Sequence, residues 1–148
     1  MNSERLNIMT LFPDVYEAVR GLEKAMGTSQ IDPLQKELIK IRASQVNGCA
    51  FCLNMHARLA RKYGETEHRI YLISVWKETK GIFSEEDRLL LEMTEEITLI
   101  HKHGLSAELY EKAVALFGEE KTAQVIMAIV AINTWNRLGV ALEWEPEM

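Results

Sequence analysis

Glu37-Leu38-Ile39-Lys40-Ile41-Arg42-Ala43-Ser44-Gln45-Val46-Asn47-Gly48-Cys49-Ala50-Phe51-Cys52-Leu53-Asn54-Met55-His56 reads as a helix, a tight turn and a second helix. Asp32-Pro33 opens the first of these helices, with Asp32 as N-cap and Pro33 at the first helical position. Gln35, three residues after Asp32, stands where a capping box places its partner. Asn47-Gly48 stops the run, and a new helix is expected from about Cys49 to Tyr63, closed by Gly64. The pattern is helical on both sides of the turn.

The rest of the chain keeps that period. Before the quoted stretch, Val15, Ala18, Val19, Leu22 and Met26 form an apolar stripe opened by Pro13. After it, Thr66 is placed to cap a helix carrying Ile70, Ile73 and Trp76. Ser84, followed by Glu85, Glu86 and Asp87, starts a helix whose stripe is Leu90, Met93, Ile97 and Ile100, ended by Gly104. Ser106 starts another, through Phe117 to Gly118, and a long last helix runs from about Glu120 to Leu138. That helix is apolar almost all round, which suits either a central position or burial by a neighbouring subunit. No segment alternates with period two for long enough to be a strand. The expectation is an all-α, single-domain bundle of about seven helices over residues 1–148, oligomeric through helix packing.

At 148 residues the chain can bury a core without covalent staples. Hydrophobic residues make up 47% and charged ones 26%, and the net charge is −5 with Lys and Arg dispersed. That distribution argues against nucleic acid or an anionic membrane as partner. The apolar run Val125 to Ile132 is far too short to span a bilayer, and Met1-Asn2-Ser3-Glu4-Arg5 is not a signal-peptide start. A cytoplasmic location is expected, where a Cys-x-x-Cys pair is more often catalytic or metal-binding than structural.

Cys49 and Cys52 are the only cysteines. Residues three apart on a helix have Cβ atoms about 5–6 Å apart, so a disulfide needs a modest adjustment, easiest at the flexible helix start. Free amides there also favour a thiolate. His56, at i+4 from Cys52, falls on the same face and can take or hold a proton beside it. If the two helices of the quoted stretch pack antiparallel, Glu37 faces His56 and can orient its ring; a solvated helix charge is the other reading of Glu37. The spacing also leaves open a zinc site or incidental buried thiols. Zinc needs a fourth ligand, however, and His68, His101 and His103 have no ligand-like spacing. Covalent haem is excluded because Leu53 follows Cys52 where that motif has His.

The quoted stretch resembles the core motif of the alkylhydroperoxidase D-like family of the carboxymuconolactone decarboxylase superfamily. Glu37, Arg42, Ser44, Asn47, Cys49, Cys52 and His56 stand at the family's Glu, Arg, Ser, Asn, Cys, Cys and His positions. Ile132-Asn133-Thr134-Trp135-Asn136-Arg137-Leu138 is similar to the family's last helix. The resemblance implies an all-α fold assembled as homotrimers or homohexamers, and a thiol-dependent peroxidase of antioxidant defence that uses no cofactor or metal. It implies Cys52 as the peroxidatic thiol, Cys49 as the resolving thiol, and His56 with Glu37 as their proton relay. Arg42, Ser44 and Asn47 are implied as scaffold. The implied partners are a peroxide and an external dithiol reductant, protein or lipoyl-type. A protein disulfide reductase, a redox sensor, and a decarboxylase-like or metal-binding structural member are the alternatives. Phe51 departs from the best-known hydroperoxidases, which have His just before the second Cys.

Overall fold

A computed structural model describes residues 3–148, and every regular element among them is helical. The order is α1 (Ile8–Leu11), α2 (Pro13–Met26), α3 (Pro33–Asn47), α4 (Ala50–Lys62), α5 (Glu67–Leu72), a 3₁₀ segment (Ile73–Glu78), α6 (Glu85–Thr98), α7 (Ala107–Phe117) and α8 (Glu119–Ala141). None of these helices is long and apolar enough to cross a membrane.

α3 is the axis of the assembly and packs against α4, α6 and α8. It earns that position by being apolar on more than one side. Ile39 and Ala43 enter the cluster shared with α6 and α8, whereas Leu38 and Ile41 enter a second cluster with Ala60, Ile73 and Leu91. Each such side chain contributes about 1.5–3 kcal/mol by leaving water. α8 is central as well: Val125, Ile129 and Ile132 are fully buried, yet Met127 and Val130 on its other side stay exposed.

Local signals place most termini. Asp32, Thr66, Ser84 and Ser106 cap α3, α5, α6 and α7 through their side chains. Four expectations need correction. The Asp32 cap works alone, through the Leu34 amide, because Gln35 turns away to donate to Glu86 of α6. The stripe on α2 is only partly covered: Val15 and Ala18 are exposed, Val19, Leu22 and Met26 are half-buried, and only Tyr16 of that helix is buried. This follows from α2 lying outside the bundle, against α8. Ile100 lies past the end of α6 and is exposed. The helix expected to carry Ile70, Ile73 and Trp76 breaks instead into a 3₁₀ segment with a kink at Val75. There the Trp76 indole N–H donates to Glu95 at 2.7 Å, a tertiary bond that outweighs continuing the helix.

Candidate functional site

α3 ends where Gly48 adopts the left-handed conformation, φ 68°, which a side chain would make costly. The amides of Gly48 and Cys49 turn back onto the carbonyls of Gln45 and Ser44 and reverse the chain into α4. Cys49 is extended and caps α4, its Sγ accepting from the Cys52 amide at 3.3 Å. Cys49 and Cys52 are joined as a disulfide, with their Cα atoms 5.3 Å apart.

The bond is deeply covered: both cysteines are only 2% exposed. Tyr16, Phe51, Leu142 and Trp144 cluster with them, and Trp135 and Leu138 pack against that cluster. Phe51 and Trp144 meet edge to face at 5.5 Å, as do Tyr16 and Trp135 at 5.7 Å. Burial pushes the Tyr16 phenol upward; Arg20 opposes that shift and Glu17 adds to it. Gly139 of α8 forms the floor. A Cβ there would lie 2.7 Å from Sγ of Cys49 and 3.3 Å from Sγ of Cys52. Sequence reading ended the last helix at about Leu138 and passed over Gly139, which the structure places inside α8.

His56 is buried one turn beyond Cys52, and its Nδ1 lies 2.8 Å from Oε2 of the buried Glu37. The α3–α4 hairpin therefore pairs Glu37 with His56 and the α4 start pairs Cys49 with Cys52, with His56 one helical turn from Cys52. A carboxylate on one ring nitrogen leaves the other nitrogen free to exchange a proton.

Arg42, Ser44 and Asn47 tie α3 to its neighbours. Arg42 donates to Glu95 of α6 at 2.8 Å. Asn136 of α8, fully buried, donates to Ser44 Oγ and accepts from Asn47, each at 3.0 Å. Asn47 also donates to Asn133. Asn133 and Asn136 lay in a stretch already singled out, and two amides in so apolar a helix were the signal that they hold partners. Glu95 gathers Arg42, Lys77 and the Trp76 indole. Burial pushes its carboxyl up, but the hydrogen bonds from Trp76, Lys77 and Arg42 prevail and hold it below the usual value.

Residues 13–90 match the sequence profile of the carboxymuconolactone decarboxylase family. The chain is 40% identical over 140 residues to the uncharacterized protein YdfG of Bacillus subtilis, covering 95% of each. A solved Agrobacterium tumefaciens protein of unknown function, put forward as the antioxidant defence protein AhpD, is 35% identical over 99% of each chain, with a TM-score of 0.93. The debrominase Bmp8, solved with 2,3,4-tribromopyrrole, shares the fold at 20% identity and a TM-score of 0.82, over 94% of this chain and 74% of that one.

Proposed function

We propose, because the chain belongs to the carboxymuconolactone decarboxylase family and carries a Cys49–Cys52 disulfide one turn from a Glu37–His56 pair, that it is a thiol-dependent peroxidase of the alkylhydroperoxidase D type. The bonded cysteines beside a carboxylate-oriented imidazole carry this reading, and the Agrobacterium relative put forward as AhpD supports it.

In the reduced enzyme His56, steered by Glu37, takes the proton of the Cys52 thiol. The thiolate attacks the terminal peroxide oxygen, the O–O bond breaks, and Cys52 becomes a sulfenic acid. The departing alkoxide receives the proton from His56 and leaves as alcohol, or as water from hydrogen peroxide. Cys49 attacks the sulfenic sulfur, expels water and closes the disulfide. An external dithiol, protein or lipoyl-type, then exchanges with the disulfide and leaves both cysteines as thiols. The amide of Cys52 on Cys49 Sγ favours negative charge there, which makes Cys49 a good leaving group in that exchange. The apolar cover favours a small reactant over a folded protein's disulfide. With Phe51 at the family's His position, the relay rests on His56 alone. The enzyme would work in antioxidant defence in a reducing compartment such as the cytoplasm, as a homotrimer or homohexamer.

Replacing Cys52 with Ser is expected to abolish peroxide consumption driven by a dithiol. Cys49→Ser is expected to leave a sulfenic acid that a 1,3-dione reagent traps. Unimpaired turnover in Cys52→Ser overturns the assignment.

A further inference from the structure

On the side of Glu37 away from His56 lies a second charged group. Lys40, one turn along α3, brings Nζ to 4.0 Å from Glu37 Oε1 and to 2.5 Å from Glu23 Oε1 of α2. The Lys40 side chain is 13% exposed and that of Glu37 is 5% exposed, so neither charge is freely hydrated. The second carboxylate oxygen of Glu23 is buried with no hydrogen-bond partner among the described residues. These groups line a cleft of about 260 Å³, whose other charged or titratable members are Lys36 and Tyr63; α8 contributes only Ala128 and Ala131.

We propose that Lys40, braced by Glu23, is a positioning residue that holds the Glu37 carboxylate aimed at His56. The inference rests on the peroxidase reading above. The Lys40 ammonium faces one carboxylate oxygen of Glu37 while the other oxygen meets the imidazole, so the carboxylate is held between the two. Lys40 is the cation nearest to it. With the imidazole neutral, Glu23, Lys40 and Glu37 carry one net negative charge, and a proton on His56 balances it. The arrangement favours the moment at which His56 holds the proton of Cys52. Lys40 touches neither sulfur and acts through Glu37.

The test is the pH dependence of alkylation of Cys52 by iodoacetamide in the reduced full-length protein, read by peptide mass spectrometry. The wild type is compared with Lys40→Met, Lys40→Arg, Glu23→Gln and Glu37→Gln. A second readout is the proton NMR signal of the hydrogen-bonded imidazole N–H. Lys40→Met is expected to slow alkylation at neutral pH about tenfold and to weaken that signal, as loss of a facing charge requires. Lys40→Arg should restore both, and Glu23→Gln should shift the profile in the same direction by less. A Lys40→Met profile equal to wild type, with Glu37→Gln displaced, overturns the proposal and spares the relay. An equal loss in Lys40→Arg and Lys40→Met also overturns it, since charge would then not be the property that matters. A Glu37→Gln profile equal to wild type removes the relay itself. If Lys40→Met does not fold, Glu23→Gln decides: no displacement rejects the proposal.

Discussion

Gly139 shows how one missing side chain shapes the redox site. Alanine in a helix interior normally stabilises by about 1 kcal/mol over glycine. Here the added Cβ would sit 2.7 Å from Cys49 Sγ, and overpacking of a tight core costs about 1–3 kcal/mol. The clash outweighs the propensity, so Gly139→Ala is expected to lower the melting temperature of the oxidised protein. The loss should be smaller after reduction, when each sulfur can move independently. Melts of both redox forms give the comparison, and a raised melting temperature in the oxidised form would show that the sulfurs make room. The same packing explains why the site's surroundings were harder to read than its chemistry. Glu37, Cys49, Cys52 and His56 lie within twenty residues of one another, and helix geometry relates them. Gly139 reaches the two sulfurs and Asn136 reaches Ser44 across about ninety residues, with nothing local to announce either contact.

Among the elements, the segment after α8 is the most consequential for access. Trp144 and Leu142 cover the disulfide, and Glu143 between them has φ 51°, the one positive φ of a non-glycine residue among those described. The bonds that hold the segment are Leu142, Glu143 and Trp144 to the Leu138, Val140 and Gly139 carbonyls, Asn54 to the Glu147 carbonyl, Ser3 to the Leu142 carbonyl and Arg5 to Glu143. Ending the chain at Leu142 should therefore speed reduction of the disulfide by dithiothreitol at least several-fold, as stopped-flow tryptophan fluorescence can follow. An unchanged rate would mean that reductants enter by another side.

α6 makes a different kind of prediction through Glu95. Its folded carboxyl is held below the usual carboxylate value of 4.5. A carboxyl with a depressed folded value binds its proton more readily when unfolded, so it contributes stability above the unfolded value. That contribution fades as pH falls through the folded value. Acid denaturation followed by circular dichroism should thus be shallower in Glu95→Gln, whose side chain cannot titrate. The variant should also be less stable at neutral pH, because Arg42 and Lys77 lose their counter-charge.

At the scale of the whole molecule, apolar surface remains uncovered. Leu6, Met9, Leu11, Phe12 and Val15 are each more than two-fifths exposed near the start of the chain, and Met127 and Val130 are about two-fifths exposed on α8. Contiguous apolar surface of this kind commonly marks a protein interface. Sedimentation equilibrium is expected to give the mass of three or six chains, and charged substitutions at Leu11 and Phe12 are expected to lower it. A monomer mass for the unmodified chain would count against the oligomer.

The sequence by itself determined most of the helices, the turn between α3 and α4, and the four side chains of the proposed chemistry. Each is governed by neighbours three or four residues away or by backbone choices such as Gly48. The tertiary structure alone decided which faces are covered, that α2 stays outside, that Trp76 breaks its helix to reach Glu95, and that Lys40 meets Glu23 behind Glu37. Those outcomes depend on which distant elements come to lie side by side, and periodicity marks an apolar or polar face without saying what will press against it.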